Sequence, residues 1–376
     1  MAKTNTKIER SFTLTNEDYD YLSALNASES FKRNFLKLAA HFSSLERMYH
    51  ATETELKGVS SFSSQSASTI SKIKDIYKPG YGQNRIANKD VRLISYWDEG
   101  YPPSLRMISE PPPLLYVKGD IHYEYELSLA IVGTRRMNRY GAEQARRFGR
   151  ELGALGFTII SGGATGIDAE AHRGAIESGG NTFAVFGSGI DVCFPANHAS
   201  LFREISSHGA IISEFPPGTP PEPYRFPIRN RIIAGLARGT LIIQAPSKSG
   251  ALITAEYALE AGREVMALPG RIDDQFSLGT NQLIRDGARL ILDPEDIPAL
   301  YNLLIEKRQE KRKPLPELDE AGKKILEAMG WESWHVDDLS RESGIPVFIL
   351  LGTLLKMQMD GYLRDLPGKR YIRISI

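Results

Sequence analysis

The sequence has very little cysteine, no long apolar run and no excess of either charge. A single cysteine, Cys193, stands among 376 residues, which excludes a disulfide framework and a zinc site built on clustered cysteines. The longest apolar stretches, such as 240–245, are far shorter than a membrane-spanning helix. The first residues lack the apolar segment of a secretory signal. We therefore expect a soluble, cytoplasmic protein that does not contact a membrane.

The balance of charges excludes a protein coated with basic residues. Lysine and arginine together number 46, as do aspartate and glutamate, so the formal net charge is zero. Such a chain does not bind duplex DNA over its whole surface, although a local basic patch remains open. The hydrophobic fraction of 41% is that of an ordinary globular protein, which excludes wholesale disorder.

The N-terminal part shows leucine and phenylalanine at helical spacing after a helix start at 15–18. Residues 56–60 lie between two helical patterns and resemble the hairpin of a helix-hairpin-helix module (SAM/helix-hairpin-helix-like). Two interpretations are open, a contact to the backbone of a duplex or a small packing module. The missing Gly-x-Gly hairpin favours the packing module.

Residues 129–292 alternate short apolar segments with helix-length segments. This pattern is typical of a buried, mostly parallel sheet with crossover helices, and it predicts an α/β, Rossmann-like core. Ligands of such sheets bind beyond the carboxyl ends of the strands. The predicted strands of the core are 129–132, 157–160, 183–186, 210–213, 241–244, 265–268 and 290–292.

The C-terminal part predicts a winged helix, with helices at 318–329, 336–343 and 347–359 followed by a β-hairpin. Winged helices bind nucleic acid or other proteins. The third helix carries only one basic residue, Lys356, so the sequence leaves both kinds of partner open. The predicted domains are 1–85, helical; 86–300, the core; 301–315, a charged linker; and 316–376, the winged helix.

Polar residues suited to phosphate follow the first two predicted core strands. Gly133, Thr134 and Arg135 follow the first strand, and a guanidinium offers a fork of donors to phosphate. Arginines 146, 147 and 150 on the following helix have the spacing of a solvated face instead. The second strand leads into residues 162–166, which we call the glycine loop. A helix begins after this loop, and backbone N–H groups at a helix start can bind an anion.

Asp168 has two possible roles in this helix. With Thr165 it resembles a capping box. With His172, four residues later, it could serve metal or acid–base chemistry. Since no third ligand is evident, we favour Asp168 as a cap and His172 as a packed residue.

The strongest feature is the stretch 223–255, which contains five basic residues and no acid. Lys248 precedes a predicted helix, and a cation there is unfavourable unless an anion lies between it and the helix. Tyr224 and Phe226 could stack on bases or pack in the core. The predicted phosphate-binding residues are Gly133, Thr134, Arg135, Gly162, Gly163, Thr165, Gly166, Arg229, Asn230, Arg231, Lys248, Ser249 and Gly250.

Motifs of nucleotide cofactors are incomplete. Val192 stands where the third glycine of a dinucleotide fingerprint belongs, and the phosphate loop of nucleotide hydrolases is missing. We therefore expect no cofactor, no metal and no catalysis.

These segments together resemble the DprA/Smf family of DNA-processing proteins. The resemblance is dense between residues 100 and 292. It rests on Ala-Ile-Val-Gly-Thr-Arg at 130–135, Ile-Ser-Gly-Gly-Ala-Thr-Gly-Ile-Asp-Ala-Glu-Ala-His at 160–172, Phe-Pro-Ile-Arg-Asn-Arg-Ile-Ile-Ala at 226–234, Ser-Lys-Ser-Gly-Ala-Leu-Ile-Thr-Ala at 247–255, Leu-Pro-Gly at 268–270, and the segments 101–105, 111–119 and 279–288.

The resemblance implies binding of single-stranded DNA in natural transformation, with protection of incoming strands and loading of the recombinase RecA. It implies RecA and single-strand-binding protein as partners, and Arg135 and Lys248 as residues of the family's pocket. It also implies a homodimer, for which the helix at 281–288 is our candidate contact by position.

Two alternatives belong to other classes of protein. The core is also similar to phosphoribohydrolases that carry Pro-Gly-Gly-x-Gly-Thr-x-x-Glu, but here 161–169 exchanges Thr and Gly and has Ala169 at the glutamate position. The second alternative is an adaptor that does not bind DNA and holds another protein through its winged helix.

Overall fold

The computed structural model describes residues 14–60, 62–87, 89–303, 318–330 and 333–373. The chain divides into two compact units, with the division after Glu306. The predicted linker 301–315 lies mostly outside the described residues.

Within the described residues, the first unit contains one sheet of nine strands, in the order β1-β2-β6-β5-β4-β3-β7-β8-β9. The seven strands from β3 to β9 pair in parallel, while β1 and β2 run antiparallel at one side. This confirms the predicted α/β fold with a mostly parallel sheet. The strands are β1 (Val91–Ser95), β2 (Leu114–Gly119), β3 (Ser128–Val132), β4 (Thr158–Ser161), β5 (Thr182–Phe186), β6 (Gly209–Ser213), β7 (Gly239–Ile242), β8 (Glu264–Ala267) and β9 (Arg289–Leu290).

The order of the strands reverses at β3. From β3 the chain proceeds outward through β4, β5 and β6, and then returns to place β7 on the other side of β3. The carboxyl ends of β3 and β7 are therefore neighbours, while the helices that follow them pack on opposite faces of the sheet. In open α/β sheets this switch point is where a crevice for a ligand forms.

Helices cover both faces of the sheet because the strand residues alternate between two cores. Leu129 and Ile131 of β3 pack with residues of α7 and α8 on one face, and Ala130 and Val132 pack with residues of α10 and α11 on the other. The helices of this part are α6 (Pro103–Arg106), α7 (Arg139–Ala154), α8 (Ile167–Glu177), α9 (Ala199–His208), α10 (Arg225–Leu236), α11 (Gly250–Glu260), α12 (Leu278–Arg285) and α13 (Asp296–Leu300).

Each helix before the sheet begins at a serine or threonine whose side chain accepts a backbone N–H of the first turn. The predicted start of the first helix is confirmed, with Thr15 and Asp18 forming a capping box. These helices are α1 (Asn16–Leu25), α2 (Glu29–His41), α3 (Leu45–His50), α4 (Glu53–Lys57) and α5 (Ser64–Ile76).

The N-terminal helices and the sheet share one hydrophobic cluster. Phe31 and Phe35 of α2 belong to the same cluster as Tyr116 of β2 and Phe202 of α9. The boundary at residue 85 therefore lies inside one compact unit, and independent folding of residues 1–85 stays a prediction.

The second unit has the three helices and the hairpin of the predicted winged helix. Ile325, Leu339 and Leu354, one from each helix, form its core. Its elements are α14 (Glu320–Met329), β10 (Trp334–His335), α15 (Val336–Ser343), α16 (Val347–Met359), β11 (Leu363–Leu366) and β12 (Arg370–Arg373). Among the described residues of the chain, no helix combines the length and the apolar character that crossing a bilayer requires.

His172 is packed inside the first unit, as we favoured from the sequence. Its Nδ1–H donates to Thr182 Oγ1 at 2.7 Å, because the Thr182 hydroxyl donates its own proton to the Ile159 carbonyl oxygen. The opposite nitrogen, Nε2, is buried without a hydrogen-bond partner. Burial, together with the nearby His198 and Arg229, lowers the pKa of His172 from 6.5 to about 3.

The buried imidazole makes the stability of the protein fall with acidification. In the unfolded chain His172 takes up a proton near pH 6.5, whereas in the folded chain it stays neutral down to about pH 3. Between pH 7 and pH 5 this residue should lower the free energy of unfolding by about 2 kcal/mol. Urea titrations of the wild type and His172→Gln at both pH values test this, and an equal pH dependence in the two proteins would contradict it.

Candidate nucleic-acid interface

The loops after β3 and β7 meet at the switch point of the sheet. Ile131 and Val132 pair with Leu241 and Ile242 in parallel register, and Thr134 N–H donates to the Gln244 carbonyl oxygen at 2.8 Å. Arg135 and Lys248, which the chain separates by more than one hundred residues, therefore emerge at the same edge of the sheet.

A cavity of about 640 Å³ lies between these loops, and we call it the central cavity. Both Arg135 and Lys248 line it, so the structure brings these two predicted ligands together. The other predicted site residues that line it are Gly133, Thr134, Arg229, Asn230, Ser249 and Gly250.

The exposed cations of the central cavity differ from those of α7 in their surroundings. Arg146 pairs with Glu177 and Glu170, and Arg147 and Arg150 lie 3.0 and 3.9 Å from Glu151. The predicted solvated face is thus confirmed. In the described part of the chain, Arg135, Arg136 and Lys248 form no ion pair. These three cations therefore leave an excess of positive charge at the cavity, which favours the binding of an anion there.

The start of α11 adds to this preference. Ser249 caps the helix, its hydroxyl oxygen accepting Ala251 N–H at 3.3 Å. Lys248 and Gly250 flank this cap and are exposed. The positive end of the helix dipole and the Lys248 ammonium group therefore face the same space, an arrangement that an anion between them would stabilise.

Asp168 acts as an internal acceptor for the glycine loop and does not form the predicted capping box. The N-cap of α8 is Gly166, without a side-chain hydrogen bond. Asp168 Oδ2 instead accepts the N–H groups of Gly162 and Ala164, at 3.2 and 3.4 Å. Burial raises the pKa of Asp168, while Arg229 and the two N–H donors oppose this shift. The amide of Gly162 is thus engaged inside the protein, which corrects its predicted role as a phosphate donor.

Arg229 lines the central cavity, but its side chain is buried and its guanidinium bonds inside the protein. Its guanidinium donates to the carbonyl oxygens of Gly162, at 2.8 Å, and Val185. A side chain on Gly162 would lie 2.6 Å from Arg229 Nη2 and 2.7 Å from Asp168 Oδ2, so only glycine fits between the two charges. Burial lowers the pKa of Arg229 to about 10, while the Asp168 carboxylate opposes this shift.

The two neighbours of Arg229 are also bonded internally. Arg231 pairs with Glu214 at 2.6 Å, and both side chains are buried away from the central cavity. Asn230 accepts Arg229 Nε–H at 3.2 Å and donates to the Gly250 carbonyl oxygen at 3.3 Å. Asn230 thereby joins α10 to the start of α11. Arg231 is thus withdrawn from the cavity, whereas Asn230 lines it and its phosphate contact stays a prediction.

The helix α10 already begins at Arg225, whereas the sequence pattern placed 226–231 before a helix at 232–237. In the structure Pro227 is the third residue of α10. A proline in the first turn costs no helical hydrogen bond, since N–H groups there have no helical acceptor. Residues 229–231 therefore lie within the helix, in a part of α10 that is buried on all sides.

A second cavity, of about 170 Å³, adjoins the first and is called the side cavity. Arg135, Ala164 and Phe226 line both cavities. The Arg135 guanidinium lies 4.9 Å from the centre of the Phe226 ring, and Phe194 lies 5.7 Å from that ring on the side-cavity wall. The sequence analysis did not identify Phe194, because no motif surrounds it.

The glycine loop contacts the Arg135 loop through its backbone. Gly166 has a φ of +87°, and a Cβ there would lie 2.3 Å from the Thr134 carbonyl oxygen. Ile167 N–H donates to that same oxygen at 3.2 Å. Thr165 lines the side cavity. Gly163 is buried against Phe202 and lines neither cavity, so its predicted phosphate contact is corrected.

Family models match the chain over both units. Residues 92–302 match the family of DNA recombination-mediator protein A, and residues 309–369 match the DprA winged helix domain. The chain belongs to the DprA/Smf family. Membership confirms the resemblance noted in the sequence and assigns the chain a role in DNA processing.

Individual members of the family are similar over most of the chain. A protein Smf of Synechocystis is 34% identical over 90% of this chain and 94% of its own length. The crystal structure of DNA processing protein A from Streptococcus pneumoniae matches with a TM-score of 0.61 and 31% identity, over 77% of this chain and 98% of its own. A structure of DNA processing protein A from Helicobacter pylori, described for its single-stranded DNA binding mode, has a TM-score of 0.52 and 29% identity, over 57% of this chain and 96% of its own.

Removal of the Asp168 side chain should destabilise the first unit. Asp168→Ala leaves two N–H groups without their acceptor and removes the negative charge near the buried Arg229, so we expect the free energy of unfolding to fall by about 2–4 kcal/mol. Chemical denaturation measures this loss. Asp168→Asn, which keeps an acceptor oxygen, is the control and should lose less. Equal stability of the wild type and the alanine variant would show that the loop does not depend on this carboxylate.

Proposed function

We propose that the chain binds single-stranded DNA in the central cavity, holding consecutive phosphates with Arg135, Lys248 and the start of α11. The observation that carries this proposal is the cluster of unpaired, exposed cations at the switch point of the sheet. Thr134, Gly133, Ser249 and Gly250 would supply hydroxyl groups and open backbone around the phosphates. Arg229, Asn230 and Asp168 would fix the walls.

Aromatic residues give the proposed site a place for bases. Phe226 stands between the central and side cavities with Arg135 against its ring, and Phe194 lies behind it. A strand with phosphates at Arg135 would have an adjacent base within reach of these rings. Stacking of this kind tolerates every base, so binding should depend little on sequence and strongly on salt.

In the cell this binding would protect incoming single strands and load RecA onto them in natural transformation. RecA and single-strand-binding protein would be the partners, in the cytoplasm, and no bond would be made or broken by this chain. The Helicobacter pylori relative, whose described property is single-stranded DNA binding, supports this assignment. At the position of the phosphoribohydrolase glutamate, Ala169 is buried, which gives no support to the enzyme alternative.

We also propose a homodimer through the β9 edge of the sheet. Leu278 at the start of α12 and Leu290 and Leu292 at β9 are large apolar residues with 43%, 43% and 66% exposure. An edge strand with exposed apolar side chains is suited to pairing with a second copy. Two copies would present two cavities to one strand and raise the apparent affinity.

The double variant Arg135→Ala/Lys248→Ala tests the site. We expect its affinity for a thymine oligonucleotide to fall at least tenfold, because two phosphates lose their cations. The slope of log affinity against log salt should also become shallower by about 1.4. Fluorescence anisotropy over a salt series measures both quantities.

A matched control removes the same number of charges elsewhere. Arg139→Ala/Arg150→Ala deletes two exposed arginines of α7 that pair with Glu143 and Glu151. This control should bind within about twofold of the wild type, since each of its arginines is already balanced by a carboxylate. If both double variants lost affinity equally, the effect would be one of net charge, and the central cavity would not be the site.

RecA loading can be separated from binding. On a strand coated with single-strand-binding protein, wild-type chain should shorten the lag before RecA begins to hydrolyse ATP. With Arg135→Ala/Lys248→Ala the lag should equal that of a reaction without the chain, because this variant is no longer held on the strand. If the wild type binds the strand and yet leaves the lag as it was, the loading proposal fails while the binding proposal stands.

A further inference from the structure

The third helix of the winged-helix unit is apolar on its solvent side as well as on its core side. Leu350, Leu354 and Met357 of α16 are buried in the unit's core. Six further apolar side chains of the same helix are exposed: Val347 by 37%, Phe348 by 79%, Ile349 by 46%, Leu351 by 42%, Leu355 by 58% and Met359 by 81%. A helix that is apolar all round is normally covered on all sides.

Three of the exposed side chains, Phe348, Leu355 and Met359, form a stripe opposite the core face, and the other three flank it. Successive helical residues are turned by about 100°, which puts Phe348, Gly352, Leu355 and Met359 within an arc of about 60°. Charge is nearly absent from this helix. Its single ionisable residue, Lys356, lies 3.3 Å from Asp319 of α14, so this cation already has a partner. The stripe is therefore unsuited to phosphates and suited to another apolar surface.

The size of this surface is that of an interface between proteins. The six side chains expose on the order of 700 Å², more than the largest apolar patch of most monomers, which is about 300–600 Å². A standard interface buries about 800 Å² on each partner. A partner that covers the stripe together with its flanking side chains, Val347, Ile349 and Leu351, would therefore bury an area close to that of a standard interface.

The order of residues along the stripe makes it complementary to itself. The positions 348, 352, 355 and 359 are symmetric about the middle of the stripe. Two copies of α16 in antiparallel contact would set Phe348 against Met359 of the second copy and Gly352 against Leu355. A Cβ at Gly352 would meet no atom within 4 Å in the chain itself, so this glycine leaves an open recess into which a leucine fits.

We propose that two copies of this chain pair through the α16 stripe, in an antiparallel contact with two-fold symmetry. Such an isologous contact by itself joins two copies, and together with the proposed contact at β9 it would link more than two chains. The contact is independent of the proposed DNA site and of the proposed dimer at β9. This pairing also explains why the third helix has only one basic residue, since its exposed face contacts a second copy of the chain and not nucleic acid.

Disulfide trapping in the full chain tests the pairing. The native cysteine is first removed by Cys193→Ser, and two chains with different tags then carry Gly352→Cys and Leu355→Cys. Mild oxidation should join the unlike chains, with a higher yield than either chain gives with itself. As a control, Lys324→Cys places an exposed thiol on α14, away from the stripe, and should give at least tenfold less product with Leu355→Cys.

A further substitution shows whether the stripe drives the contact. Phe348→Glu, added to both cysteine chains, should reduce the trapped product at least tenfold, because it buries a charge in an apolar interface. Phe348 is 79% exposed, so the thermal midpoint of the chain should not change. Trapping no better than the Lys324→Cys control would overturn the proposal. That result is expected if a foreign protein or the first unit of the same chain covers the stripe.

Discussion

The candidate site depends on the parallel pairing of β3 with β7. The two strands are distant in the sequence, because β4, β5 and β6 follow β3 in the chain and lie on its other side in the sheet. It joins the loop of Arg135 to the loop of Lys248 by backbone hydrogen bonds, including Thr134 N–H to Gln244. The two cations share one cavity as a consequence of this topology and not of any local motif.

Around this pairing, a second layer of buried charge sets the shape of the walls. Arg229 and Asp168 lie on either side of Gly162, and both bond to the backbone of the glycine loop. Gly166 then brings this loop against the Thr134 carbonyl oxygen. The charges that matter for the proposed binding are the exposed ones, and the buried ones hold the loops that present them.

The sequence predicts local features of this architecture better than distant ones. The short apolar segments predicted every core strand to within a few residues. A parallel strand that is buried on both faces consists of consecutive apolar residues, so it can be recognised from the sequence alone. The order of the strands, and hence the switch point, depends on distant pairings that one sequence does not reveal. Basic residues alone also did not distinguish Arg231, buried with Glu214, from the exposed Lys248. Arg231 is buried inside α10, a helix whose start the sequence pattern placed several residues too late.

Two of the proposed contacts, strand binding at the central cavity and pairing through α16, rest on different forces, and this affects how they combine. Phosphate binding at the central cavity weakens as salt rises, because counterions compete for the same cations. Pairing through α16 rests on buried apolar area and carries almost no charge, so salt screens it very little. At high salt, chains would leave the strand while the α16 pair persists. A strand entering at low salt would thus meet chains already joined, and the second cavity would bind at a high effective concentration.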